Sequence, residues 1–132
     1  MKNNLPHDGV YARLYCSPIH GVGVVAIRDI KRNTLIFKGD DADLVWLEKR
    51  QIIDLPIKIR KLYDDFAVIK GDRFGCPVNF NRMTPAWYLN EPKPGEPPNV
   101  GANEEYEFFA LRDIRKGEEL TVRYCTFSDE PS

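Results

Sequence analysis

Gly117-Glu118-Glu119-Leu120-Thr121-Val122-Arg123-Tyr124 is the stretch on which the reading of this chain turns. A glycine and two acids make a turn, and a short run of β-forming residues follows and closes on a tyrosine. Taken alone, it is a solvated turn and a strand. Working outward, the segment before it, Ala110-Leu111-Arg112-Asp113-Ile114-Arg115, echoes Ala26-Ile27-Arg28-Asp29-Ile30-Lys31, 84 residues earlier. Each copy follows a candidate strand, carries a polar turn and leads into another strand. Two copies do not make a solenoid. They indicate two similar hairpin units in a mainly β domain, each Ile packing under its own turn.

The remaining elements follow from periodicity and turn chemistry. Residues 10–16 alternate, with Val10, Ala12, Leu14 and Cys16 against Tyr11, Arg13 and Tyr15, which indicates a half-buried strand. Ser17-Pro18-Ile19-His20-Gly21 is turn material; residues 22–27 read as a second strand and 34–37 as a third. Asn33 stands where a glycine would suit, and asparagine tolerates left-handed backbone. A short helix is expected within 40–54. Leu55, Ile59, Leu62, Tyr63 and Phe66 then fall on one helical face, with Pro56 in the first turn. Residues 67–70 and 73–76 flank Gly71-Asp72 as a hairpin, and Thr84-Pro85 opens a helix of a turn or two. Residues 91–99, with four prolines and a glycine, are a loop. Residues 106–111 and 119–124 are the last strands, and the chain is expected to fray from Ser128.

Composition narrows the function classes. A chain of 132 residues forms one domain with a core of its own. No apolar run reaches the ~18–20 residues of a transmembrane helix, so no membrane role is expected. The start lacks the apolar core of a secretory signal, and an intracellular, cytoplasmic address is the expectation. Cys16, Cys76 and Cys125 are odd in number and far apart, and only His7 and His20 are present. That spacing argues against disulfides and against a metal site. The net charge is −1, but residues 71–132 carry 11 acids against 7 bases. A basic peptide is drawn to such a half more readily than a phosphate, and no nucleic-acid role is expected.

Three segments in order carry a resemblance: His20-Gly21-Val22-Gly23, then Asn90-Glu91 with Pro98-Asn99-Val100, then Gly117 to Tyr124. Together they resemble the signature of SET-domain protein-lysine methyltransferases, over roughly residues 10–127. The family's Asn-His-Ser is here Asn90-Glu91-Pro92, and Arg123 stands where an acid is common. Where the family often has a second tyrosine, two residues before a glycine, this chain has Phe37. The cysteine clusters that flank many family members are absent.

The resemblance implies a mainly β fold with short helices, of SET-domain-like (β-clip) type. Several small twisted sheets and a knot-like arrangement of the chain near Asn90 and the last strand belong to it. It implies tails at 1–9 and 128–132 and a domain at 10–127 with an insert at about 40–76; substrate recognition is expected from the domain itself, over the segment from Asp41 to Cys76. It implies S-adenosylmethionine as cofactor and, as partner, a protein or peptide with an accessible lysine. Cofactor binding would fall to Gly21, Val22, Gly23, Asn90, Glu91 and Phe127. Phe37, Tyr88 and Tyr124 would line the substrate channel, with Tyr124 at the methyl-transfer site. The alternative is a SET-like binding module that has lost catalysis, and a more distant one is an unrelated β-rich interaction domain.

Overall fold

The alternation over residues 10–16 produces strand β1 (Ala12–Cys16), which pairs antiparallel with β2 (Val22–Ala26), Ala12 opposite Ala26 and Cys16 opposite Val22. The structure is a computed structural model that describes residues 5–39 and 44–129. The other elements are β3 (Leu44–Glu48), α1 (Ile57–Phe66), β4 (Val68–Lys70), β5 (Arg73–Pro77), β6 (Val100–Ala102) and β7 (Phe108–Ala110). They make three small antiparallel sheets, β1-β2, β3-β5-β4 and β6-β7. The mainly β architecture with short helices is the one expected.

The two echoed segments meet. Ile30 and Ile114 form an antiparallel bridge whose two backbone hydrogen bonds are both 2.7 Å. The bonds around it recur in reciprocal pairs at the same 84-residue offset. Asp113 Oδ1 accepts from the Arg32 amide at 2.9 Å, and Asp29 Oδ1 accepts from the Lys116 amide at 2.8 Å. Asn33 N donates to Ala110 O and Gly117 N to Ala26 O, each at 2.8 Å. Ile36 N donates to Phe108 O at 3.0 Å and Leu120 N to Val24 O at 2.8 Å. Asn33 (φ 71°) and Gly117 (φ 93°) occupy equivalent left-handed positions, as the turn chemistry requires. The two echoed units are thus related by an approximate twofold, but they are not the hairpins expected: the arms flanking each turn pair with arms of the other copy, Leu35 with Phe109 and Val25 with Glu119. Each Ile packs against its counterpart as well as beneath its own turn, and both are 1% exposed. Burying such a side chain stabilises by about 1.5–3 kcal/mol. Val24, Ile36, Val100, Leu120 and Val122 complete the same core.

Several expectations are corrected. The expected helix within 40–54 is strand β3 followed by a 3-10 turn, Lys49–Gln51; residues 40–43 lie outside the described residues. β5 offers β3 a full antiparallel edge, from Leu44 opposite Pro77 to Glu48 opposite Arg73. Trp46 lies over Gly75, where an added Cβ would come within 2.9 Å of the indole. Tertiary pairing thus overrides local preference. Helix α1 forms as the periodicity predicts, but its apolar face is only half covered: Ile59 is 48% and Leu62 38% exposed. Tyr63 and Phe66 carry the contact, on Phe80, with ring centroids 5.0 and 6.5 Å away.

Residues 34–37 make a single bridge, Leu35 with Phe109, instead of a strand. The expected strand at 119–124 is also not a ladder. Glu119 bridges Val25, Thr121 runs parallel to Asn90, and Val122 runs parallel to Val100. Four extended residues therefore draw their partners from three remote segments, and a 3-10 turn, Tyr124–Thr126, follows. This convergence is where the knot-like arrangement lies. Ser128 and Asp129 are not frayed. The Ile69 amide donates to Ser128 Oγ at 2.8 Å, Asp129 N donates to Ile69 O at 2.7 Å, and the Gly71 amide donates to Asp129 Oδ2 at 2.7 Å. Residues 5–9 of the expected N-terminal tail form a turn, Asp8 N donating to Leu5 O at 3.0 Å, and residues 1–4 and 130–132 lie outside the described residues.

Candidate active site

Leu89 and Asn90 follow the 3-10 turn Pro85–Tyr88, which opens as expected at Thr84-Pro85. Both are buried, and the chain beyond Tyr88 is extended because Val122 N bonds Asn90 O at 3.0 Å. Two constellations branch from this point.

The first is polar and interior. Asn90 Nδ2 donates to His20 O at 3.0 Å, Val22 O at 3.3 Å and Glu119 Oε2 at 3.0 Å. Glu119 Oε1 accepts from the Ser17 hydroxyl at 2.6 Å and from the Tyr15 hydroxyl. Burial, then this bond, then the carboxylate's charge push the Tyr15 phenol up to about 12. Asn99 secures the same segment, accepting from Thr121 N at 2.8 Å and donating to Glu119 O at 2.9 Å. Gly23 is the tightest point: an added Cβ would meet Glu119 Oε2 at 2.7 Å, Ser17 Cβ at 2.8 Å and Asn90 Nδ2 at 2.9 Å. Glycine is required there by side chains that close over it.

The second constellation is a cleft of about 870 Å³ between the echoed units and the segment 44–77. Phe37, Glu91, Tyr124 and Phe127 line it, with Trp46 and Tyr106. The rings are keyed edge to face: Phe37 on Phe108 at 6.3 Å, Phe108 on Phe127 at 5.5 Å, and Phe127 on Tyr124 at 6.2 Å. Tyr124 is 41% exposed, yet its hydroxyl is fixed, donating to Leu89 O at 2.6 Å. Burial first, and the Glu91 charge second, push this phenol up to about 12. It stays protonated at neutral pH.

The family model of the SET domain matches residues 21–125. The chain belongs to the SET-domain family. Its members are generally protein-lysine methyltransferases that use S-adenosylmethionine. Among solved structures, the chain is similar to a Plasmodium falciparum protein provisionally described as a histone methyltransferase, with a TM-score of 0.54 and 16% identity. The alignment covers 85% of this chain and 90% of that one, and at this identity the likeness is one of fold. No curated protein matches the chain.

Within this SET domain the expected site residues divide. Phe37, Glu91, Tyr124 and Phe127 share the cleft. Gly21, Val22, Gly23 and Asn90 gather at the polar cluster instead, and none of them lines the cleft. Tyr124 nevertheless touches the neighbouring residue, Leu89, so the two constellations adjoin. Tyr88 packs against the core and against Phe66, with ring centroids 5.5 Å apart, away from the cleft surface. Glu119, Tyr15 and Ser17 were missed. Nothing local marks them, because the network joins residues more than 100 positions apart. Trp46 and Tyr106, whose rings pack 5.9 Å apart in the cleft lining, were missed: Trp46 lies in a stretch expected to be helical, and Tyr106 carries no signal beyond the start of a strand.

Proposed function

We propose that this SET domain transfers a methyl group from S-adenosylmethionine to a lysine side chain of a protein or peptide. The observation that carries the reading is the Tyr124 hydroxyl, held at 2.6 Å on Leu89 O at the wall of an aromatic cleft. The residues fit the cofactor: the cleft lies within the ~300–1,000 Å³ range of ligand pockets, and its lining combines aromatic rings with several acidic side chains that suit a positively charged ligand. When bound, S-adenosylmethionine supplies the electrophilic methyl. Glu91 and Phe127 line the cleft where such a molecule would lie. The Asn90 amide is turned inward by its three acceptors, and its Oδ1 has no hydrogen-bond partner among the described residues.

What the chain contributes is desolvation and alignment. A lysine side chain has a pKa near ~10.4 in water and must lose its proton to act as nucleophile. Phe37, Phe108 and Phe127 exclude water, which favours the neutral amine. Tyr124, neutral and anchored, offers an oxygen acceptor at a fixed place, and such preorganised contacts favour a near-linear approach. Phe37 keeps the ring and omits the hydroxyl, so one hydrogen bond to the amine is absent. The protein is proposed to act inside the cell, on partners with a basic character matching the acidic second half.

Isothermal titration with S-adenosylmethionine, then transfer of labelled methyl to a mixture of basic proteins, tests this reading. Tyr124→Phe is expected to lower transfer on the order of 10²-fold while costing about 1 kcal/mol of stability. Glu91, Phe37 and the closed Gly23 turn favour a second reading, a binding module without catalysis. Binding without any labelled product would select it.

A further inference from the structure

Glu91 occupies the position where the family resemblance places a histidine, and its surroundings give the exchange a chemical meaning. The cleft is lined by several acids and, among the described residues, by one base, Lys38. Most of the acids are engaged. Asp64 pairs with Arg60 at 3.9 Å and Asp65 with Lys61 at 3.2 Å. Asp129 accepts from the Gly71 amide, and Glu107 accepts from Asn103 Nδ2 at 3.1 Å. Glu105 has its carboxylate in solvent at the rim. Glu91 differs from all of them. It is half-buried, it lines the cleft, and its carboxylate has neither ion pair nor hydrogen bond among the described residues.

Its charge also reaches the centre of the cleft, being one of the two causes that raise the Tyr124 phenol. A carboxylate that no base of the fold engages is open to a positive group entering the cleft. The binding reaction proposed above brings two positive groups to this place, a sulfonium and an alkylammonium.

Resting on that reading, we propose that Glu91 is the cation-binding group of the cleft. Its carboxylate meets the positive atom held beside Tyr124, whether the donor's sulfonium or the acceptor lysine's ammonium. The geometry that carries this is a half-buried cleft carboxylate, unpaired among the described residues, close enough to the anchored hydroxyl for its charge to act on that phenol. A sulfonium bound there is distinguished from the neutral thioether left after transfer, so the site favours donor over product.

The test compares wild type, Glu91→Gln and Glu91→Asp. Each is titrated with S-adenosylmethionine, with S-adenosylhomocysteine, which lacks the sulfonium charge, and with N-acetyl-lysine amide followed by NMR. In the sulfonium arm, Glu91→Gln lowers the preference for donor over product by roughly fivefold or more, and Glu91→Asp retains much of it. In the ammonium arm, that preference is unchanged and affinity for the lysine probe falls by a similar factor. Thermal melts of the variants should match wild type, since the Glu91 carboxylate has no bond among the described residues. If both the donor preference and the lysine affinity stay within twofold in Glu91→Gln, the proposal is overturned. Wild-type protein that binds neither donor nor product removes the methyl-transfer reading, and the lysine arm then decides Glu91 alone. Binding of none of the three probes overturns both.

Discussion

Glu119 holds together more of this domain than any residue of the aromatic cleft. One half-buried carboxylate satisfies Tyr15, Ser17 and Asn90 at once. Glu119→Gln replaces one acceptor oxygen by a donor that cannot serve them all. A loss of about 1–3 kcal/mol is expected, read from the midpoint of urea unfolding at constant slope. Tyr15 and Tyr124 give a pH signature. Both phenols lie near 12 in the fold, raised mainly by burial from a reference of 10.0. A raised folded value means that the fold favours the neutral form. The stability tied to it is therefore complete below pH 10 and is lost as pH climbs from 10 to 12. Alkaline titration of phenolate absorbance should show two of the six tyrosines ionising late, and one only in Tyr124→Phe. Of this chemistry, the sequence announced Tyr124, Glu91, Phe37 and Phe127, because short motifs flank them. Glu119 stands within the motif but nothing local marks its role, since Tyr15 and Ser17 come from the far end of the chain.

At the level of elements, the C-terminal turn and the β4–β5 hairpin are fastened to each other. Ser128 and Asp129 bond Ile69 and Gly71, closing one end of the cleft with residues that line it on both sides. Asp129→Ala is expected to cost about 1 kcal/mol. Hydrogen exchange should quicken at the Gly71 and Ile69 amides while the Ile30 and Ile114 amides keep their protection. Uniform acceleration across the chain would show that the latch is part of the global core instead. The β4–β5 hairpin itself was legible from Gly71-Asp72. β3 was not, because an amphipathic run of five residues reads equally well as a helical turn, and only the waiting edge of β5 decides between them.

For the whole molecule, the approximate twofold makes a symmetrical demand. Ile30 and Ile114 face each other at its centre, each 1% exposed. Ile30→Ala and Ile114→Ala should each cost about 2–5 kcal/mol, and by similar amounts, since each leaves a cavity against the same partner. The double variant should depart from additivity, because contacting residues share one void. Its total loss rivals the ~5–15 kcal/mol that holds a small domain together. Circular dichroism melts of the four proteins measure both quantities, and widely unequal single losses would contradict the symmetry.

The amino-acid order alone determined the two echoed turn units, their repetition, the left-handed turns at Asn33 and Gly117, and the family signature ending at Tyr124, but not that the arms of one unit pair with those of the other. These are properties of neighbours along the chain, where turn chemistry and side-chain period act over a few residues. The tertiary structure alone decided that Gly23 is sealed beneath Glu119 and Asn90, and that residues 119–122 take partners from three remote segments. It also decided that Phe37, Glu91, Tyr124 and Phe127 share one cleft. Those outcomes depend on which distant groups arrive to satisfy a buried carboxylate, an amide or a backbone edge. No local pattern encodes that arrival; it follows from packing the two echoed units around Ile30 and Ile114.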